Sequence, residues 1–273
     1  MNTNTKLKDV GFLSDENSSY HVALEVITSD YFTVCNKLSV LANAILTKVI
    51  LHPDDRKEVY IMLYFQRMLS HYQAASVMAE HGMLHQVEIL LRCMLETLFD
   101  LVAFHENDDF FEALILGDDS QRLALLEKIR EQQKTTATLT HDELAELDHI
   151  IASAENISRE DFKIYIKADI AGMLNDYRTT YSLLSETLHT TVHSIETDLV
   201  FDEFGDEIIG INSFSQKAGE MSLLLMTSAN YMIIGIEMLL TVFPKPEHQT
   251  ELTQLKERVH SEWQKVVVAV QHR

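Results

Sequence analysis

Glycine and proline are scarce, 8 and 3 among 273 residues, and two of the prolines, Pro244 and Pro246, stand almost side by side. A strand-rich sandwich or barrel needs such residues at every turn, so their scarcity excludes that class and favours long helices with short connections. Cysteine is rarer still. Cys35 and Cys93 each sit inside an apolar helical pattern and not in a CxxC pair, which rules out a disulfide framework and fits a reducing compartment. Basic residues are also short, with 22 Lys and Arg against 42 Asp and Glu and a net charge of −20. Affinity for nucleic acid rests mainly on Lys and Arg displacing counterions, so general nucleic-acid binding is disfavoured. Glycine loops of the GxxxxGK or GxGxxG type, the GxSxG elbow and the HExxH helix are all missing, which removes the common motif-bearing enzyme classes.

Long apolar runs are nearly absent as well. Met221 to Ile236 carries no charge, but it falls short of the ~20 residues of a spanning helix. It also holds Ser222, Thr227, Ser228 and Asn230, with Glu237 next in line. It reads as a buried bundle helix, so no membrane association is expected. Residues 1–17 are polar and lack the apolar core of a secretory signal. They read as a disordered leader ahead of a single helical domain over 18–273, in the cytoplasm.

What is present is hydrophobic residue in quantity, 46% of the chain, spaced for helices. Ser19 to Leu51 predicts one helix or two joined near Asp30. Pro53, Asp54 and Asp55 predict a helix start, with a stop at Gly82. Met83 to His105 is the most apolar early helix and is expected near the centre. Asp108 to Leu116, Ser120 to Gln133 and Thr140 to Ala154 predict three shorter helices, the last with a Thr140/Glu143 capping box. A helical region from Ser158 is expected to break near Gly172 and resume through Tyr181 to His193. Residues 195–211 predict a small hairpin around a Gly-containing turn, the one β element expected. Ser215 to Phe243 and Glu247 to His272 predict two final helices. The class is all-α, a multi-helix bundle with one small hairpin.

Acidic residues are densest from Asp100 to Asp161, where they read as a solvated face or a docking surface for a basic protein partner; a homodimer is the other association considered. Three constellations carry possible chemistry. Arg92 and Glu96 share one face of the most apolar helix, where burial requires each to find a partner. Tyr181, Ser185 and His189 form a second stripe at successive steps of four, placing a phenol, a hydroxyl and an imidazole in line. If that stripe meets Arg92 and Glu96, the five make a candidate ligand-binding site. Glu186, His189 and His193 have metal-ligand spacing, as does the pair His81 and His85, and ExxH recurs at Glu146/His149 and Glu257/His260. So many histidines and acids supply such pairs by chance, so no metal or other cofactor is expected.

Arg67, the stretch Glu88 to Glu96 (EILLRCMLE) and Tyr181 to His189 (YSLLSETLH) resemble an all-helical bacterial family, the domain of unknown function 5677, over roughly Glu58 to His193. The family resembles in turn the HEPN bundles, many of them ribonucleases of toxin and phage-defence systems. That resemblance implies a stress or defence setting and, as an alternative activity, metal-independent RNA cleavage in which an Arg holds the phosphate and a His moves a proton. The HEPN motif separates Arg from His by four to six residues. Here Arg67 and His71 have three between them, and Arg178 and His189 have ten.

Overall fold

The computed structural model describes residues 21–153, 162–188, 195–196, 199–202, 205–211 and 218–271. Side-chain caps set several helix starts. Helix α1 (His21–Ile27) is followed by α2 (Asp30–Leu46), where the Ser29 hydroxyl accepts from Phe32 N at 3.1 Å. The junction falls where the sequence predicted one. Helix α3 (Arg56–Glu80) begins three residues past Pro53, because the Asp55 carboxylate accepts from Glu58 N and so occupies the cap position. Pro53 instead serves the preceding turn, closed by Asp55 N donating to His52 O.

Gly82, at φ 69°, ends α3 as expected, with Met83 N donating back to Met78 O. Helix α4 (Leu84–Glu106) follows, and Asn107 closes it while capping α5 (Asp108–Thr136) through Phe110 N. Here the sequence reading is corrected: the two helices expected over 108–133 are one helix of 29 residues. A single glycine such as Gly117 costs a helix interior only about 1 kcal/mol, which continuous hydrogen bonding on both sides outweighs. Helix α6 (His141–Ser153) starts with the predicted box, Thr140 N and Oγ1 both donating to Glu143 Oε2 at 2.8 Å.

Helix α7 (Ile164–Ile170) ends at Gly172, φ 67°, with Met173 N donating to Ala168 O. A short α8 (Leu174–Asp176), a π turn (Tyr177–Tyr181) and α9 (Ser182–Leu188) then run continuously. The hairpin lies within the expected span. Strand β1 (Leu199–Phe201) pairs antiparallel with β2 (Ile208–Ile211), with a register irregularity at Val200/Phe201 and Gly205 at φ 78° in the turn. Helix α10 (Ala218–Val242) and α11 (Pro246–Gln271) complete the chain, Pro246 standing at a first helical position where its missing N–H costs nothing.

Helices α4 and α10 occupy the centre. α4 packs along α3 and against α7, α9 and α10, while α10 also meets α1, α2, α3 and α11. Leu91, Met94, Leu95 and Leu98 of α4 and Met221, Leu225, Met232 and Ile236 of α10 are fully buried between them. Each such side chain contributes roughly 1.5–3 kcal/mol by leaving water. Helix α10 lies within the span expected for it, and by length and composition it is long and apolar enough to cross a membrane. In this structure it is packed inside the bundle. Gly235 lets α10 approach α3 closely, since a Cβ there would stand 2.7 Å from Met68 Sδ. A smaller aromatic cluster, Phe104, Phe110, Phe111 and Leu114, fills the α4–α5 corner.

Candidate functional site: a polar network beside an open cleft

The candidate pair on α4 meets the candidate stripe on the α8–α9 segment. Arg92 Nη2 lies 2.8 Å from Glu96 Oε1 and donates to Tyr181 Oη at 2.6 Å, and Arg92 Nε donates to Ser185 Oγ at 3.1 Å. Tyr181 Oη donates in turn to Glu96 Oε1 at 2.8 Å, closing a triangle, and Ser185 Oγ donates to the Tyr181 carbonyl. The guanidinium carbon also stands 4.9 Å from the Tyr181 ring centroid. Four of the five nominated residues are therefore one network, although nearly ninety positions separate the two helices in sequence. His189, the fifth, lies outside the described residues.

Two local devices aim the stripe at Arg92. In the π turn the backbone hydrogen bonds reach five residues back, and Ser182 Oγ bonds the Tyr177 carbonyl at the same separation. The widened turn stacks Tyr177 on Tyr181, centroids 5.2 Å apart and planes 19° from parallel. Tyr231 of α10 anchors the turn from behind by donating to Asp176 Oδ1 at 2.9 Å. Asp100 and Lys167, paired at 2.9 Å and mostly buried, fasten α7 to the same α4.

Electrostatically the network is a neutral pair wrapped by hydroxyls. The Arg92 side chain keeps 15% of its exposure and Glu96 keeps 32%, so the carboxylate is the wetter partner. Burial first, and then the hydrogen bond to Glu96, push the Tyr181 phenol up to about 12, which keeps it a proton donor. Burial and the Glu96 charge also raise the Cys93 thiol, against a smaller pull from Arg92. A guanidinium has five N–H groups; Nε and Nη2 are engaged, and Nη1 has no hydrogen-bond partner among the described residues. No nucleophile–base pair forms within this network.

Sequence reasoning missed the neighbouring cleft. A hollow of about 280 Å³ opens between α3 and α4, lined by Tyr60, Leu63, Tyr64, Arg67 and Thr97. Thr97 follows Glu96 on α4, so the helix that carries Arg92 also supplies one wall of the cleft. Burial and the positive charge of Arg67 hold the His71 imidazole below its ordinary value, while Glu96 pulls it up, which puts His71 within the field of both. Arg67 is exposed and has neither an ion pair nor a hydrogen bond among the described residues. The signal was available: Tyr60, Tyr64, Arg67 and His71 follow at steps of four, three and four, the spacing of one helical face.

Of the metal-spaced candidates, Glu186 is exposed on α9, while His189 and His193 lie outside the described residues. His81 Nδ1 donates to Val77 O at 2.8 Å and His85 Nδ1 lies 3.0 Å from Glu88 Oε2, so each ring has a nearby protein partner. Among the described residues no three potential ligands cluster as a metal site would require.

The model of a family of unknown function, DUF5677, matches residues 58–208, a span that holds the network, the cleft and the first strand of the hairpin. No curated protein and no solved structure matches the chain.

Proposed function

The chain belongs to the DUF5677 family, and from that premise we propose that it is a helical small-ligand-binding protein whose site is the α3–α4 cleft, one wall of which is α4, the helix that carries the Arg92 network. The observation that carries this reading is Arg67, a guanidinium without an ion-pair partner among the described residues, in an open, partly aromatic hollow. Arg92, Lys167 and Lys57, by contrast, are matched by Glu96, Asp100 and Asp108. A cation left over in a concavity is the arrangement by which pockets orient polar ligands. The network's role is to hold α9 against α4 and keep that wall rigid.

Amide chemical-shift mapping with a panel of small metabolites tests it. Binders are expected to move the amides of residues 60–71 and 92–97, and Arg67→Gln is expected to weaken that binding about 10-fold without lowering the melting temperature. Shifts confined to other helices would overturn the assignment.

A second reading, metal-independent RNA cleavage, draws support from His71 standing one turn beyond Arg67 with an imidazole held towards its neutral form. The charge of −20 and the spacing of the pair weigh against it. Incubation with tRNA and total RNA, beside His71→Ala and His189→Ala, separates the two: cleavage lost in either variant favours the nuclease, and no cleavage removes it.

A further inference from the structure

We infer that the α3–α4 cleft takes a small aromatic anion, its ring against Tyr60, Leu63 and Tyr64 and its acid group on Arg67; this rests on the reading of the cleft as a binding site.

The sign of the ligand follows from the hydrogen-bond accounting. Arg67 brings a fixed positive charge that no described carboxylate neutralises. The Tyr60 and Tyr64 hydroxyls are uncharged, and Thr97, the lining side chain that α4 supplies, already has its hydroxyl proton committed to the Cys93 carbonyl at 2.8 Å. It can accept a hydrogen bond but has no proton left to give an anion. The acid group's charge therefore falls to Arg67, whose planar fork matches a carboxylate or phosphate edge.

The aromatic part follows from what lies beneath the cleft. Tyr60 stacks near Phe104, with centroids 6.2 Å apart and planes 14° from parallel, and meets the edge of Phe111 at 5.7 Å. Tyr64 contacts the same Phe104 at 5.0 Å. Phe104 is fully buried, and Phe110 and Phe111 pack edge-on to it, so the two tyrosine rings lie on a fixed foundation and do not need to be ordered on binding. Leu63, 53% exposed, is a large apolar side chain left uncovered at the same place. A volume of about 280 Å³ sits at the small end of ligand pockets and suits one ring with one acid group better than a dinucleotide or a peptide.

Carboxylate and phosphate share the chemistry that Arg67 recognises, so both are tried. The full chain is titrated with benzoate, phenyl phosphate, benzamide, benzamidine and inorganic phosphate, following amide shifts of residues 60–67 and 97. Benzoate or phenyl phosphate is expected to saturate, the tighter of the two identifying the acid group. Arg67→Gln is expected to weaken that binding about 10-fold, as for one charge-assisted hydrogen bond, with an unchanged melting temperature. Benzamide is expected to bind about 10-fold more weakly than benzoate, and benzamidine not at all. Benzamide or benzamidine binding in the cleft as tightly as benzoate overturns the anionic class and leaves the cleft a binding site. Inorganic phosphate binding as well as phenyl phosphate overturns the aromatic part in the same way. If no probe moves these amides, the class is overturned, and the metabolite panel decides separately whether the cleft binds anything.

Discussion

Helices α4 and α6 are both amphipathic in sequence, yet they live under different rules. Twelve of the 23 residues of α4 are buried, and helices pack on it from several sides. Helix α6 buries only Leu147 and packs on α5, itself exposed along much of its length. The centre is held by apolar area, whereas the α5–α6 arm is held by the Thr140/Glu143 cap and by surface ion pairs such as Arg130–Asp148 and Lys134–Glu131. Exposed pairs of that kind contribute at most about 1 kcal/mol each. Amphipathic spacing therefore establishes that a helix forms but not how much stability it supplies; that depends on how many neighbours cover its apolar face.

The sharpest way to break the contrast is to truncate an apolar side chain in each region. Phe65→Ala removes a fully buried ring from α3 and is expected to cost about 3–5 kcal/mol, roughly 10 °C of melting temperature. Leu125→Ala on α5, where the side chain is 58% exposed, is expected to stay within about 0.5 kcal/mol. Equal losses by calorimetry would mean that the arm is part of the cooperative core. Next comes Arg92→Ala, which removes the cation paired with Glu96 and the hydrogen bonds to Tyr181 in the π turn and Ser185 on α9. A loss of about 3 kcal/mol, several degrees, is expected, together with faster amide exchange in residues 182–188; an unchanged melting point would deny the network its structural role.

Alkaline titration sharpens the same point more gently. The folded Tyr181 phenol is raised to about 12 from an ordinary value of 10.0, so the folded state holds its proton more tightly. That contribution is complete below pH 10 and is lost as pH rises through about 12. Stability measured against pH for the wild type and for Tyr181→Phe is expected to diverge in that window, and parallel curves would contradict the assignment. Smallest is Thr140→Ala. Losing the cap is expected to cost about 1 kcal/mol, visible as faster exchange in α6 alone with the global transition unmoved. A shift of the whole transition would show the arm coupled to the centre.

These elements also mark where sequence reasoning stops. The pairing of Arg92 with Glu96 and the alignment of Tyr181 with Ser185 follow from steps of four on a helix, and the need to satisfy buried charge led one towards the other. Caps at Ser29 and Thr140 and stops at Gly82 are equally local. The merging of two expected helices into α5 was not legible, because Gly117 and the acids after it look like a break and are overruled by helix on both sides. The length of α10 was legible, Ala218–Val242 lying within the helix expected over Ser215 to Phe243, whereas its apolar reach looked shorter because Glu220 and Glu237 bound the uncharged run. The cleft was missed for a different reason. A concavity is made by two helices together, and Tyr60, Tyr64 and Arg67 show only a mixed face until α4 supplies Thr97 opposite.

The π turn at Tyr177–Tyr181 amounts to one surplus residue between two stretches of regular helix. Every residue of an α-helix advances about 100° around the axis, and the wide turn absorbs the extra one, so rewinding it to ordinary winding with all its residues kept would rotate everything downstream by about that angle relative to α8. Ser185 would swing off Arg92 and bring a leucine round in its place. The turn is in this sense a phase setter: the composition of α9 could remain untouched while its orientation, and with it the contact to α4, was lost through a change of winding alone.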